Sequence, residues 1–280
     1  MMKYRHALMM AAAVSLAAVG GLAVWAGSGL YDLRLTKQSV RLSPAGESAS
    51  PVRLGLLGDP HAGAWEGEYL DKAVRLLTEQ KPDAILLLGD YRYCLNYEAS
   101  MSPEEVARHL APLMQVAPVY FVCGNHDKDV WGATMRRCLR EAGAHCLENH
   151  TVRIWNAEGR AVDLCGLPYV GIFGPGFGRR LEGKRNPDAP LVAVAHDTYE
   201  FRLYPADADL IIGGHTHGGQ ICAPNGRPLF PNLGRPAEVQ RKGLARSASG
   251  KPMYTSAGIG VSTLPARICC PPQVDVLELR

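Results

Sequence analysis

Several features that would indicate other protein classes are missing from this sequence. Its 280 residues contain no CxxC pair, so a zinc site built on cysteines is not expected. No Lys/Arg-rich run occurs and the formal net charge is only +3, which argues against a nucleic-acid-binding surface. A GxSxG nucleophile elbow and a phosphate-binding P-loop are also absent, so nucleophilic catalysis by serine is not indicated.

The composition is that of an ordinary globular protein. Hydrophobic residues make up 47% of the chain and charged residues 20%, and no internal repeat is visible. The eight cysteines leave the disulfide state and the compartment open. Cys123 ends an apolar run, where a buried free thiol is expected. Together these observations predict one α/β domain with a sizeable core.

An uncharged apolar segment lies near the N-terminus. Residues 7–30 follow Lys3 and Arg5, and the segment is long enough to span a bilayer. A retained membrane anchor over residues 1–31 is the favoured prediction, and a cleaved signal peptide is the alternative. The flanking charges leave the orientation open, and the short tail before the segment favours export of the domain that follows. Residues 32–51 are predicted to form a linker, and residues 52–280 a catalytic domain.

Beyond the predicted linker, short apolar runs alternate with polar motifs and helix-like stretches. Five of these runs predict buried strands: Val52–Leu57, Ala84–Leu88, Val119–Cys123, Leu191–Ala195 and Leu210–Ile212. Each run is followed by a residue type that binds metals. Because sites in α/β sheets are built at the carboxyl ends of strands, we expect these residues to meet.

The polar motifs after the strands carry the chemistry. They are Asp59-Pro60-His61, Gly89-Asp90, Asn125-His126-Asp127, His196-Asp197 and His215-Thr216-His217, and they contain five of the nine histidines. One such motif alone would ordinarily be a turn or a surface accident. Their joint occurrence at five strand ends predicts a metal centre. Oxygen and imidazole ligands without thiolate suit Mn²⁺ best, with Fe and Zn²⁺ as alternatives.

The ordered set D-x-H, GD, GNHD, H and GHTH resembles the calcineurin-like metallophosphoesterase superfamily over about residues 53–279. The GHTHGGQ form and the tail TSAGIGVSTLPARICCPPQVDVLEL are similar to a bacterial branch of membrane-attached or exported phosphodiesterases. That branch includes UDP-2,3-diacylglucosamine pyrophosphohydrolases. The resemblance implies an α/β fold in which two mixed β-sheets pack as a sandwich flanked by helices. It also implies an inner-membrane protein, or a secreted or periplasmic one if the signal is cleaved.

The resemblance further implies two divalent metal ions bridged by Asp90. The first ion would be held by Asp59, His61, Asp90 and His217, and the second by Asp90, Asn125, His196 and His215. His126 would stay off the metals and donate a proton or a hydrogen bond to the leaving oxygen, with Asp127 orienting it. Many members carry a second acid soon after the Gly-Asp motif. Here Tyr91-Arg92-Tyr93 follows instead, which lowers the expected affinity for the first metal.

The implied reaction is hydrolysis of a phosphodiester or pyrophosphate bond by in-line attack of a hydroxide shared by the two ions. A phosphorylated small-molecule or lipid substrate is expected, membrane-associated or lipid-linked, such as UDP-2,3-diacylglucosamine. If the domain is exported, a lipid pyrophosphate or cell-wall phosphodiester fits better than a lipid made in the cytoplasm. A soluble phosphomonoester or cyclic nucleotide is one alternative, and a non-catalytic metal-binding module is another. Residues 169–186 and 221–235 are candidate substrate walls, with ordinary solvated surface loops as the slightly favoured alternative.

Overall fold

The computed structural model describes residues 27, 29–42, 50–169, 186–199, 208–231, 241–247 and 250–280. Nearly all of the predicted anchor lies outside this part of the chain, as do residues 43–49 of the predicted linker and residues 170–185 and 232–235 of the candidate substrate walls. Within the described ranges, no helix combines the length and the apolar character that crossing a bilayer requires.

The described residues form twelve β-strands and three α-helices. The strands are β1 (Arg34–Val40), β2 (Val52–Leu57), β3 (Ala84–Leu87), β4 (Val119–Phe121), β5 (His145–Cys146), β6 (Thr151–Trp155), β7 (Ala161–Gly166), β8 (Leu191–Asp197), β9 (Leu210–Gly214), β10 (Gly243–Arg246), β11 (Pro252–Thr255) and β12 (Gln273–Leu279). The helices are α1 (Gly67–Thr78), α2 (Pro103–Leu110) and α3 (Asp129–Glu141). The five strands predicted from apolar runs are all present.

The strands form two mixed six-stranded sheets, as predicted. The first has the order β1-β12-β2-β3-β4-β5, and all its neighbours are parallel except the antiparallel pair β12 and β2. The second has the order β10-β11-β9-β8-β7-β6, with antiparallel pairs at its two ends and parallel pairs between. The motif-bearing strands are central in both sheets, so their carboxyl ends lie close together.

A continuous apolar layer joins the two sheets. Leu54 and Leu86 from the first sheet pack in one cluster with Val192, Ile212 and Tyr254 from the second, and all five are fully buried or nearly so. This layer forms the interior of a β-sandwich. Burying strands on both faces explains why they are apolar throughout rather than alternating.

The three helices cover the outer face of the first sheet. Leu70 of α1, Val106 of α2 and Leu139 of α3 pack in a cluster with Ile85 and Phe121 of that sheet. The start of α2 is set by its sequence. The Ser102 hydroxyl accepts from the backbone N–H of Glu105 while the Glu105 carboxylate accepts from the backbone N–H of Ser102.

The prediction of a linker over residues 32–51 is wrong for residues 34–40. These residues form β1, which pairs in parallel with β12 over its whole length, from Arg34 opposite Gln273 to Val40 opposite Leu279. Val40 is only 2% exposed and belongs to the apolar layer between the sheets. The folded domain therefore includes a strand that precedes residue 52.

Val40→Ala tests this assignment through the stability of the domain. Removing two buried methyl groups should lower the free energy of unfolding by about 1.5–2.5 kcal/mol, because about 0.8 kcal/mol is lost per buried carbon and a cavity remains. Lys37→Ala, on an exposed position of the same strand, should change it by less than about 0.5 kcal/mol. Denaturant unfolding of both variants measures the difference. Equal, negligible effects would mean that residues 34–40 are a linker after all.

Candidate metal centre

Three buried ligand-type side chains meet where β2 and β9 end. Asp59 and His61 lie in the loop after β2, and His217 begins a short 3-10 turn just after β9. Their ligand atoms all lie within 4.8 Å of one another, and we call this set the first ligand group. Asp59 Oδ1 is 3.9 Å from His217 Nε2, and the rings of His61 and His217 stack with centroids 5.1 Å apart.

A second ligand group is formed by Asp90, His196 and His215, whose ligand atoms also lie within 4.8 Å of one another. His196 Nε2 is 3.1 Å from His215 Nδ1 and 3.2 Å from Asp90 Oδ2. It is also 3.1 Å from Oδ1 of Asn125, which therefore joins this group as an oxygen donor. Lone pairs from four side chains thus converge on one place.

Asp90 connects the two ligand groups through a single carboxylate oxygen. Its Oδ2 lies 3.5 Å from His61 Nε2 and 3.2 Å from His196 Nε2. The other oxygen, Oδ1, accepts a hydrogen bond of 2.9 Å from the backbone N–H of His126. All seven metal ligands predicted from the sequence are therefore gathered at one centre, with Asp90 in the middle.

Hydrogen bonds to backbone carbonyls set the tautomers of two histidines. Nδ1 of His61 is 2.8 Å from the carbonyl oxygen of Arg92, and Nδ1 of His196 is 2.8 Å from that of Leu88. A carbonyl only accepts, so each Nδ1 carries the hydrogen and each Nε2 presents its lone pair to the centre. His61 Nε2 is buried with no hydrogen-bond partner among the described residues. Because such a buried orphan costs about 1–3 kcal/mol, it fits a metal ligand.

Burial shifts the pKa values in the first ligand group toward neutral forms. It lowers the pKa of His61 to about 4, so the ring is neutral and able to bind a metal at pH 7. Burial also raises the pKa of Asp59 to about 7. A divalent cation at this position would favour the ionised carboxylate and offset its desolvation. The electrostatics therefore suit a bound cation.

The pair in the middle of the centre is shifted the opposite way. Burial alone would raise the pKa of Asp90, but the imidazoles of His196 and His61 more than offset it and hold the pKa low. Burial likewise opposes charge on His196, yet the facing Asp90 carboxylate raises the pKa of that ring to about 10. A divalent cation at this position would provide the same neutralising charge in place of a proton on Nε2, and so leave the Nε2 lone pair free to bind it.

Five of the seven ligand residues adopt a left-handed backbone conformation, which is uncommon for residues other than glycine: Asp59 (φ 49°), His61 (40°), Asp90 (56°), His215 (70°) and His217 (51°). Such a conformation costs of order 1–3 kcal/mol per residue and persists only where the surrounding structure imposes it. The sharp turns bring successive side chains inward from the strand ends.

Two glycines leave room for the ligand carboxylates. A methyl group at Gly214 would overlap Oδ2 of Asp59, and one at Gly124 would overlap Oδ1 of Asp90. A methyl group at Gly124 would also lie 2.7 Å from Cε1 of His196. At these two glycines the backbone therefore approaches the ligand side chains more closely than any residue with a Cβ atom would allow.

The prediction that Asp127 orients the His126 ring is wrong, because the Asp127 carboxylate contacts backbone N–H groups instead of that ring. The buried Asp127 carboxylate accepts backbone N–H bonds from Asp90 (2.7 Å), Gly124 (2.8 Å) and Tyr91 (2.8 Å), with a longer one from Arg92 (3.4 Å). These donors surround the carboxylate because two strand ends supply them. Burial, followed by the nearby Asp90 charge, raises the pKa of Asp127 to about 7. Asp127 thus holds the backbone that presents Asp90.

His126 stands beside the two ligand groups, half-buried, with its ring edge-on to His61 at a centroid distance of 5.2 Å. It belongs to neither group. Its Nδ1 lies 2.9 Å from the hydroxyl oxygen of Tyr97, a residue that the sequence patterns did not indicate. The sequence offers no local signal for this contact, because Tyr97 lies in an irregular loop after the Gly-Asp motif.

Two further supporting residues were also missed. Arg267 is 2% exposed and donates to the backbone carbonyls of Gly260, Ala257 and Cys270, while its Nη2 is 3.5 Å from His217 Nδ1. Asp197 Oδ2 lies 3.7 Å from His215 Nε2, the ring nitrogen turned away from His196. Asp197 could have been proposed from its position next to His196, since ligand histidines are commonly held by a carboxylate.

A cleft of about 740 Å³ opens beside the centre. His126, His215 and His217 line this cleft and connect it to the centre. Its walls include Leu95, Ile221, Phe230 and Leu264, while the remaining described lining residues are uncharged: Cys94, Thr216, Gly219, Gln220, Ser262 and Thr263. A substrate reaching the two ligand groups would therefore lie against a wall in which apolar side chains alternate with uncharged polar ones.

Gly124→Ala should remove metal from the centre without unfolding the domain, because the added methyl group displaces Asp90 and His196. We expect fewer than two Mn²⁺ ions per chain in elemental analysis of the gel-filtered protein, with an unchanged circular dichroism spectrum. Gly67→Ala is the matched control, since its methyl would meet only the His109 ring. Full metal occupancy in Gly124→Ala would show that the centre is less tightly packed than described.

Comparison with known proteins gives a consistent result. Residues 52–219 match the calcineurin-like phosphoesterase family. The chain is 30% identical over 252 residues to phosphodiesterase YaeI of Escherichia coli (strain K12), covering 85% of this chain and 86% of that protein. It is also 30% identical over 267 residues to a transmembrane protein with metallophosphoesterase domain of Bos taurus. That alignment covers 86% of this chain but only 55% of the bovine protein.

Among solved structures, that of a dimetal phosphatase from Danio rerio is similar with a TM-score of 0.45 and 13% sequence identity. The similarity covers 77% of this chain and 90% of that one. The family match takes in all seven candidate metal ligands and more than half of the residues. The chain therefore belongs to the calcineurin-like phosphoesterase family and is a metal-dependent phosphoesterase.

Proposed function

We propose that this phosphoesterase hydrolyses a phosphodiester or pyrophosphate bond in a membrane-associated or lipid-linked substrate, such as UDP-2,3-diacylglucosamine. The observation that carries the proposal is Asp90 Oδ2, which lies within 3.5 Å of a ligand nitrogen from each group. Two ligand groups joined by one carboxylate suit a pair of ions acting on one phosphoryl group. The similarity to a protein named a phosphodiesterase supports a diester substrate.

Two divalent ions fit the residues present. Asp59, His61, Asp90 and His217 would hold one ion, and Asp90, Asn125, His196 and His215 the other. The mixture of imidazole and oxygen ligands suits Mn²⁺ best, with Fe and Zn²⁺ as alternatives. When bound, such a pair acts as a Lewis acid toward the phosphoryl oxygens and lowers the pKa of water at neutral pH.

The chain's own residues then position the substrate and the leaving oxygen. Asn125 adds an oxygen ligand without adding negative charge, so the centre remains attractive to an anionic phosphoryl group. His126 lines the cleft, and its ring donates a hydrogen bond to the oxygen that leaves. Stabilising charge that develops on that oxygen accelerates bond breaking. Asp127 contributes by holding the backbone N–H groups beside Asp90.

The cleft wall supports a substrate with an apolar part. Phe230 is 74% exposed and Leu264 49% exposed, and both line the cleft. Exposed large apolar side chains that gather at a binding cleft indicate contact with apolar ligands. The described lining also contains no Lys or Arg, so away from the reacting bond it suits the acyl chains of such a substrate.

Membrane attachment through residues 1–31 at the inner membrane is part of the proposal. A UDP-linked lipid would require the catalytic domain to face the cytoplasm, whereas an exported domain would act on a lipid pyrophosphate or a cell-wall phosphodiester. The first continuous described residues, Gly29–Tyr31, form a short 3-10 turn. The Tyr31 ring meets the Tyr69 ring edge-on with centroids 5.2 Å apart, and the Tyr69 hydroxyl donates a hydrogen bond to the carbonyl of Ile259. The cleft-lining residues Ser262–Leu264 follow soon after Ile259. The predicted anchor would thus enter the domain near the mouth of the cleft.

Asp90→Asn tests the reaction itself. The amide keeps the shape of the carboxylate but removes the charge shared by the two ligand groups. We expect Mn²⁺-dependent hydrolysis of bis(p-nitrophenyl) phosphate to fall more than about 100-fold. That loss exceeds what is typical for a residue that only supports a metal ligand. Asp188→Asn, at an exposed position, should retain full activity. Unchanged turnover in Asp90→Asn would refute a reaction centred on this carboxylate.

The lipid-linked substrate is tested with the double variant Phe230→Ser, Leu264→Ser. In detergent micelles, kcat/KM for UDP-2,3-diacylglucosamine should fall at least about tenfold, since each lost apolar contact is worth about 1.5–3 kcal/mol when fully buried. The loss for bis(p-nitrophenyl) phosphate should be smaller. Leu244→Ser, an exposed apolar residue of β10, is the control. If the wild-type protein hydrolyses p-nitrophenyl phosphate or cyclic nucleotides faster than both UDP-2,3-diacylglucosamine and bis(p-nitrophenyl) phosphate, a soluble substrate is favoured.

A further inference from the structure

The hydroxyl of Tyr97 contacts the imidazole of His126. Its oxygen lies 2.9 Å from His126 Nδ1, and the two rings meet edge-on with centroids 6.0 Å apart. Tyr97 begins a short 3-10 turn whose entry is capped by Asn96, because the Asn96 side-chain oxygen accepts a 3.1 Å bond from the backbone N–H of Glu98. Tyr97 therefore belongs to a capped turn within the otherwise irregular loop that follows the Gly-Asp motif.

We propose that Tyr97 is a positioning residue that fixes His126 in the tautomer able to serve the leaving oxygen. Its O–H donates to Nδ1, so the ring hydrogen resides on Nε2, the nitrogen on the far side of the imidazole from Tyr97. This inference rests on the proposed function, in which His126 donates a hydrogen bond to that oxygen. It assigns a role to a residue outside the metal-binding motifs.

The direction of the hydrogen bond follows from the acidity of the two groups. A phenol, with a pKa near 10, is a better donor than the N–H of a neutral imidazole, and imidazole nitrogen is the better acceptor. Among the described residues, neither Tyr97 Oη nor His126 Nδ1 has another hydrogen-bond partner. No described carboxylate contacts the His126 ring, since Asp127 is engaged by backbone N–H groups.

Arg92 reinforces this arrangement. Its guanidinium carbon lies 4.1 Å from the centroid of the Tyr97 ring and 5.7 Å from that of Trp131, and its Nε is buried without a hydrogen-bond partner in the described part of the chain. A cation over an aromatic face is attracted by the ring and draws electron density from it. Burial raises the pKa of the Tyr97 phenol and Arg92 partly offsets this, so the hydroxyl keeps its hydrogen and can donate it to His126.

The step balances without any proton from Tyr97. A water molecule gives up one proton to solvent as its oxygen forms the new bond to phosphorus, and the bond from phosphorus to the leaving oxygen breaks with its electron pair remaining on that oxygen. The Nε2–H of His126 stabilises the negative charge by a hydrogen bond, and solvent supplies the proton that completes the alcohol. Because more charge accumulates on a poor leaving group, the contribution of Tyr97 should grow as the leaving group becomes more basic.

Tyr97→Phe removes the donor and keeps the ring beneath Arg92. With the full-length chain in detergent micelles and Mn²⁺, we would compare methyl p-nitrophenyl phosphate with methyl phenyl phosphate. Loss of kcat should be about tenfold or more for the phenyl ester and under about twofold for the nitrophenyl ester. Tyr93→Phe is the matched control, because its ring lies in the same loop and packs on Trp65, and its hydroxyl makes no hydrogen bond within the described residues. It should match wild type on both esters.

Two further measurements separate positioning from a general structural effect. In a His126→Asn background, Tyr97→Phe should cause no additional loss with either ester. Nitrogen-15 NMR of the histidine rings, in protein loaded with diamagnetic Zn²⁺ and assigned with His126→Asn, should show the hydrogen on Nε2 in wild type. In Tyr97→Phe, the other tautomer should become populated.

Equal losses on both esters, or a wild-type ring with its hydrogen on Nδ1, would overturn the role of Tyr97 while leaving the phosphodiesterase proposal intact. Absence of metal-dependent hydrolysis of either ester by the wild-type protein would instead refute the proposed function, and the role of Tyr97 with it. The comparison across leaving groups is therefore decisive for Tyr97, and the wild-type rate is decisive for the reaction.

Discussion

The carboxylate of Asp127 ties together two strand ends on which the rest of the metal centre depends. It accepts the backbone N–H of Gly124, just beyond β4, and those of Asp90 and Tyr91, just beyond β3. Several short bonds to one buried carboxylate constrain the backbone more tightly than loop packing alone can. Asp90 and Asn125, which follow those strands, are consequently held at a fixed separation.

The centre also requires both halves of the sandwich. The first sheet supplies Asp59, His61, Asp90 and Asn125, and the second supplies His196, His215 and His217. The apolar layer between the sheets therefore determines whether the two ligand groups can approach each other. The left-handed turns at five of the ligands are a local cost that this large buried layer can sustain. The apolar layer between the sheets thus stabilises the fold, while the strand ends at its edge carry the metal ligands.

Most of the fold and the ligand set could be predicted because their signals are local. An apolar run followed by Gly-Asp or Gly-Gly-His identifies both a buried strand and the residue at its end, without knowledge of its neighbours. The strand β1 gave no such signal, since only Val40 of its seven residues is buried and its partner β12 lies at the other end of the sequence. The contact of Tyr97 with His126 was likewise unpredictable, because it depends on how an irregular loop folds back over the site.

The position of β12 has a consequence for the order in which the molecule can assemble. This strand, Gln273–Leu279, lies between β1 and β2, so β1 has no neighbour in its sheet until residues 273–279 have been synthesised. The ribosome releases β2, β3 and β4, with their share of the metal ligands, long before that edge can be completed. A nascent chain thus carries an open sheet edge at β2 through most of its synthesis, and the first sheet cannot be completed before β12 has been made.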